Sequence, residues 1–219
     1  MDFTMATQHF SFAENAWNPE DWMIVRSPRW NTISTWVQEK DHITNTMPED
    51  ITLEEVQMGQ DRAGESYISM LLKQPVTGNA KMSTVCSFDE RMAPLIVLAR
   101  ELGPVHHEHL EIVLYDRGIN LWHHFYIDGK PSWKLITCMD LDLKAGEKYT
   151  LTTDTLFNKA GKFLVMGCNG KTFGCRIADD WPETYYVGFT ACEGKNRFYD
   201  FTLSSTNELS EAMKERFTA

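Results

Sequence analysis

Between His107 and Tyr115 the side chains alternate: Leu110, Ile112 and Leu114 point to one side, and His107, His109, Glu111, Val113 and Tyr115 to the other. A period of two puts the apolar residues on one face of an extended chain, so this stretch reads as a half-buried strand. Asp116-Arg-Gly118 follows as a tight turn. A second strand then runs from Ile119 to Ile127, before Asp128-Gly-Lys-Pro131 turns the chain again. On that strand Ile119, Leu121, Phe125 and Ile127 share a face with His123, while Asn120, Trp122, His124 and Tyr126 occupy the other. A hairpin closed at Gly118 sets imidazole, carboxylate and aromatic groups against the side opposite the aliphatic residues. It also brings His109 and His124 onto neighbouring strands.

The same rhythm continues along most of the chain. Turn chemistry at Gln74-Pro-Val-Thr-Gly-Asn79, Lys144-Ala-Gly146, Ala160-Gly161, Asn169-Gly170 and Glu193-Gly-Lys-Asn196 separates candidate strands at 67–73, 80–88, 148–153, 162–168, 171–177, 185–191 and 197–203. Asn169-Gly170 favours a type I′ hairpin. Met92-Ala-Pro-Leu-Ile-Val-Leu-Ala99 is a strongly apolar run; Pro94 argues against an uninterrupted helix, and 95–98 reads as a core strand. The stretch 10–36 holds Trp17, Trp22, Trp30 and Trp36 with Pro19 and Pro28 among them and reads as short strands and turns, and 50–64 reads as a solvated connection. At least eight short, closely spaced strands point to an all-β, two-sheet antiparallel sandwich. From Ser205 the pattern changes: Glu208 follows a Ser or Thr cap, and Leu209, Met213 and Phe217 recur four apart, which predicts a short C-terminal helix. The expected organisation is one sandwich domain over 1–204 and a helical appendage over 205–219.

Composition narrows the partners. A net charge of -10 with no Lys or Arg run makes duplex nucleic acid and anionic membrane surfaces poor ligands, and a neutral or weakly charged one a better fit. No apolar stretch approaches the roughly 18 residues of a membrane span, and no export signal opens the chain. The five cysteines form no tight repeated pattern, and reduced, buried thiols suit a cytoplasmic location.

The strand His109-Leu-Glu-Ile-Val-Leu-Tyr115, the aromatic strand after it, the spacer Gly146-Glu-Lys-Tyr149-Thr-Leu151 and the closing Val187-Gly-Phe189 and Arg197-Phe-Tyr-Asp-Phe-Thr-Leu203 together resemble the concanavalin A-like lectin and glucanase superfamily. The resemblance covers roughly 67–203 and is one of rhythm. It implies a galectin-like jelly roll whose last strand, Phe198-Tyr-Asp-Phe201, returns beside the region of Phe10 and Phe12, with a sugar lying across the concave sheet. The Glu-x-Asp-x-x-Glu strand of the retaining glucanase branch is absent here, which counts against a carboxylate pair about 5 Å apart.

Three functions follow as expectations. The first is a carbohydrate-active enzyme, hydrolase or lyase, with His109, Glu111, His124 and Tyr126 supplying acid and base and His107, Trp122, Arg176, Glu193 and Arg197 binding the oligosaccharide or monosaccharide. In a lyase an arginine would neutralise a uronate carboxylate. The second is a lectin-like domain that binds sugar without catalysis, using the aromatic rings as a platform. The third is a structural domain in which the same face packs against another subunit as a homodimer. The His and Glu stripe also has the donor types of a metal site, but equally those of an ordinary solvent-facing edge; we assign no metal and no cofactor.

Overall fold

The computed structural model describes residues 6–30, 34–50, 52, 65–89 and 92–205. Seventeen strands among them form two antiparallel sheets. The nine-stranded sheet contains β1 (Ala6–Ser11), β3 (Trp36–Gln38), β4 (Ile43–Asn45), β7 (Ala80–Phe88), β12 (Tyr149–Asn158), β13 (Gly161–Cys168), β14 (Lys171–Arg176), β16 (Asn196–Phe198) and β17 (Asp200–Ser205). Its order is β14-β13-β12-β7, after which β7 pairs with both β16 and β17; β16 continues to β4 and β3, and β17 to β1. The eight-stranded sheet contains β2 (Trp22–Val25), β5 (Ile68–Leu72), β6 (Val76–Thr77), β8 (Met92–Ala99), β9 (His109–Tyr115), β10 (Gly118–Ile127), β11 (Lys130–Asp140) and β15 (Thr184–Ala191). Its order is β11-β10-β9-β8-β15-β5-β2, with β6 beside β15.

Alternate residues of both sheets meet in one core. Leu110, Ile112 and Leu114 of β9 and Ile119 and Leu121 of β10 are buried there with Met82, Leu151, Leu164 and Val187. Phe189 is central, its ring 4.4 Å from Phe198 and 5.3 Å from Phe12, both of which come from the opposite side of the sandwich. β17 returns beside β1 with Phe201 opposite Phe10, as the resemblance implies. Asp200 secures this closure: its Oδ1 accepts from the Val85 amide at 2.7 Å and its carbonyl from Thr84 Oγ1 at 2.6 Å.

Two of the turns read from glycine show why that residue is needed. Gly118 has φ +136°, and a Cβ there would lie 1.9 Å from the Met139 carbonyl oxygen of β11, so only glycine lets β11 pass this close. Asn169 and Gly170 both have positive φ, as a type I′ hairpin requires.

Three expectations are corrected. Among the described residues there is no helix of seven or more residues, which overturns the helix expected from Ser205 onward. Ser205 is instead the last residue of β17, buried and paired with Ala6 and Ala80, because the alternation of Phe201, Leu203 and Ser205 carries the strand through the expected cap. Positions 206–219 lie outside the described residues, as does most of the connection at 50–64. The single closing strand at 197–203 is two strands that break at Tyr199, where the chain steps from one neighbour of β7 to another. Finally, β11 has no counterpart among the expected strands. It pairs only with β10, and its exposed residues follow no simple alternation, so periodicity gives it no signal.

Candidate functional site

In the β9–β10 hairpin His124 lies directly opposite His109, and Trp122 opposite Glu111. Because Leu110 and Ile112 fill the core, the intervening side chains His109 and Glu111 stand on the outer face of the eight-stranded sheet. They do not face water. His109 is 2 % exposed and Glu111 7 %, with the His106 ring of the 100–108 loop stacked on His109 and the Tyr67 hydroxyl against Glu111. That loop is tied to the segment 26–30: the Arg26 amide donates to the Pro104 carbonyl and the His106 amide to the Arg26 carbonyl, both at 2.9 Å.

Under this cover lies a connected polar layer. Glu111 Oε1 is 3.3 Å from His109 Nε2 and accepts from the Tyr67 hydroxyl at 3.4 Å, while Oε2 is 2.9 Å from His124 Nε2. His109 Nδ1 faces the His107 carbonyl at 3.0 Å and must donate to it. The rings of His106, His109 and His124 form a stack, with centroids 4.3 and 4.5 Å apart. His106 Nε2 continues the layer to Ser69 Oγ at 2.9 Å, which in turn accepts from Thr190 Oγ1 at 2.7 Å.

The electrostatics follow from this enclosure. Burial alone would raise the Glu111 carboxyl, but the charges and hydrogen bonds of His124 and His109 outweigh it and hold the group well below the usual carboxylate range. His106 is also pushed down, but there burial is the main cause, with neighbouring His109 as a further one, and the effect is to favour the uncharged imidazole. Burial raises the Tyr67 phenol, and the Glu111 charge adds to that.

Above and beside the polar layer runs an aromatic strip. Trp30 and Trp122 pack against Tyr67, Leu95, Val113 and Cys192. The Arg29 guanidinium lies between two indoles, 4.2 Å from the Trp30 centroid and 3.7 Å from that of Trp133. Trp133 and Leu135 stand on β11 opposite His124 and Trp122. Trp133 is 47 % exposed, Leu135 46 % and Tyr126 38 %. The strip thus opens to solvent along β10 and β11.

The structure gathers some of the sequence-derived candidates and separates others. His109, Glu111, His124 and Trp122 come together, with Tyr126 at the edge of the same face, where its hydroxyl reaches the His106 carbonyl at 3.5 Å. The His107 ring lies on the exposed rim, 5.7 Å from the Tyr126 ring between centroids, with its Nδ1 3.3 Å from Glu101. Arg176 and Arg197 belong to the nine-stranded sheet. Arg176 holds Asp179 at 2.8 and 2.9 Å, and Arg197 is paired with Asp89. Glu193 occupies a turn with φ +46° before β16. His123, read as an interior histidine, is satisfied by Glu108 Oε1 at 3.0 Å. Of the early tryptophans, Trp22 and Trp36 are core residues and Trp17 packs against the core, whereas Trp30 joins the strip. Sequence reasoning missed Tyr67, Ser69, His106 and Thr190, which come from separate elements, and Arg29 and Trp133; the density of tryptophan before position 36 was the one signal pointing toward Trp30.

No family model and no curated protein matches the chain. Solved structures do. The carbohydrate-binding module CBM66 from Bacillus subtilis superimposes with a TM-score of 0.57 at 10% identity, over 83% of this chain and 99% of that one. Peanut lectin with a 9-mer peptide gives 0.59 at 10% identity over 94% and 99% of the two chains, and the cellulose-induced protein Cip1 gives 0.57 at 10% over 93% and 99%. The chain therefore has the concanavalin A-like jelly-roll fold that these proteins share. At such identities the likeness is one of fold alone.

Proposed function

We propose that this protein is a carbohydrate-binding domain that holds a neutral or weakly charged saccharide on the aromatic strip along β10 and β11, without transforming it. The observation that carries this reading is the half-exposed Trp133, set beside Tyr126, Leu135 and the Arg29-bridged Trp30 on one sheet face. An indole face offers the flat apolar surface that the C–H side of a pyranose packs on, and the flanking hydroxyl and guanidinium supply directional hydrogen bonds. Lectins and a carbohydrate-binding module among the proteins of the same fold support it further. The hydrolase and lyase readings have less support. Glu111, the carboxylate they would use, is enclosed and has both oxygens engaged by His109, Tyr67 and His124, whereas a general base must come within about 3 Å of a substrate atom.

The test is calorimetric titration with a panel of neutral and uronate-containing oligosaccharides, together with product analysis. We expect saturable binding of at least one saccharide, no turnover, and a loss of about tenfold or more in affinity for W133A with its melting temperature unchanged. R176A, altered on the other sheet, should bind as the parent does. Binding unaffected by W133A would overturn the location, and turnover abolished by E111Q would restore the enzymatic reading. A dimer that W133A converts to a monomer would favour the packing function instead.

A further inference from the structure

We propose that His109, Glu111 and His124 form a binding site for a divalent transition-metal ion of the zinc class. The proposal stands independently of saccharide binding. Its ligand atoms, His109 Nε2, a Glu111 carboxylate oxygen and His124 Nε2, all lie within 4.8 Å of one another. Two imidazoles and one carboxylate are a donor set suited to zinc, which in open sites takes three protein ligands and keeps a fourth position free.

The hydrogen bonds around His109 point the same way. Its Nδ1 must carry a proton, because the His107 carbonyl 3.0 Å away can only accept. With Nδ1 so occupied, Nε2 is the ring nitrogen turned toward Glu111 Oε1, at 3.3 Å. That separation is longer than the roughly 2.7–2.9 Å of a charge-assisted hydrogen bond. It matches the edge of a tetrahedron around an ion with bonds of about 2.0–2.1 Å, which is about 3.3 Å. An ion held between the two atoms takes the place of the proton that otherwise joins them.

The surrounding groups complete the arrangement. A ligating histidine ordinarily donates its remaining N–H to a carbonyl or carboxylate, which fixes the tautomer and the ring, and the His107 carbonyl does this for His109. The Tyr67 hydroxyl orients Glu111 in the same manner. His109 is 2 % exposed and Glu111 7 %, so water competes weakly for the ion on that side. The rings of His109 and His124 are stacked at an interplanar angle of 14°. Both in-plane lone pairs can converge on one ion only if one ring turns. The His124 side chain is 12 % exposed against 2 % for His109, so His124 is the ring nearer solvent and the one proposed to turn.

The experiment uses the full chain, stripped by a chelator and titrated with Zn²⁺ alone by calorimetry. We expect one saturable site per chain and a melting temperature that rises with zinc. Affinity should fall about a hundredfold in H124A and in E111Q and stay unchanged in C138S, which removes an exposed thiol. Cobalt(II) should give visible bands without a thiolate charge-transfer band, and the His124 ring resonances should shift as it leaves the stack. If E111Q fails to fold, H124A decides, since its side chain lies at the edge of the layer. Absence of one-to-one zinc binding, or binding that H124A leaves intact, overturns the proposal.

Discussion

Replacing Phe189 by alanine tests how the two sheets are locked together. Phe189 is fully buried on the inner side of β15 and has five aromatic neighbours: Phe198 at 4.4 Å, Trp22 at 5.1, Phe12 at 5.3, Trp36 at 5.4 and Phe201 at 5.8 Å. A buried Phe→Ala change costs about 3–5 kcal/mol when the site cannot collapse. Each aromatic pair contributes about 0.5–1.5 kcal/mol beyond area. Five rigid rings drawn from both sheets cannot close over the space, so the upper end, about 5 kcal/mol, applies. For a chain of this size 1 kcal/mol shifts the melting temperature by roughly 2–4 °C, so F189A should melt roughly 10–20 °C lower. Against a net stability of about 5–15 kcal/mol, the variant stands near the unfolding threshold. F189L, which keeps most of the volume, should lose only about 1.5 kcal/mol. Urea unfolding followed by tryptophan fluorescence gives both values, with the slope unchanged if the transition stays two-state. A loss below about 1.5 kcal/mol in F189A, or equal losses in the two variants, would refute the claim that this ring cluster ties the sheets.

Two smaller predictions concern titration and reactivity. Asp154 of β12 faces Lys81 of β7; burial raises its carboxyl above the ordinary 3.8, and Lys81 only partly pulls it back. The charged form therefore costs stability, a cost present above the folded pKa that fades as pH falls through it toward the unfolded value. D154N should be more stable than the parent at neutral pH, by at most about 0.5 kcal/mol, and the melting curves should converge below pH about 4; a destabilised D154N at neutral pH would mean that the Lys81 pair outweighs burial. Among the free cysteines, Cys138 is exposed on β11, Cys86 and Cys192 are buried with raised thiols, Cys175 is raised by partial burial, and Cys168 is pushed up to about 11. A disulfide reagent at mildly alkaline pH should titrate Cys138 quickly, the half-buried Cys175 more slowly and the other three only on unfolding, and fast reaction of Cys86, Cys168 or Cys192 would contradict their burial.

Most of the sandwich is legible in the sequence because its strands are half-buried and its turns need particular residues. β9 and β10 follow from the alternation around Leu110, Ile112, Ile119 and Leu121, and their register follows from Gly118. β11 does not follow, since an edge strand with Trp133 and Leu135 exposed has no buried face to impose a period. The helix expected after Ser205 fails at its first residue because strand pairing with Ala6 and Ala80 lies far away in the chain and overrides a local capping signal. The site divides in the same way. His109, Glu111 and His124 converge through one hairpin and can be read locally. Their neighbours Tyr67, His106 and Thr190 arrive from the residue before β5, from the 100–108 loop and from β15 respectively, contacts that no local pattern encodes.

Alternation cannot distinguish a polar stripe that meets water from one that lies beneath a second layer, and here that distinction decides the chemistry. His107 and His109 occupy the same face in the pattern, yet His107 is exposed beside Glu101 and His109 is sealed against Glu111 and His106. With His106 of the 100–108 loop stacked over the stripe, its histidines and carboxylate engage one another. The proposed saccharide site and the proposed ion site thus form successive layers on one sheet, with Trp122 next to both: it sits opposite Glu111 in register and packs in the same cluster as Trp30. This arrangement separates the two proposals by mutation. W133A should spare zinc and H124A should spare the indole platform, so that loss of both activities in either variant would show one merged site where the geometry has two.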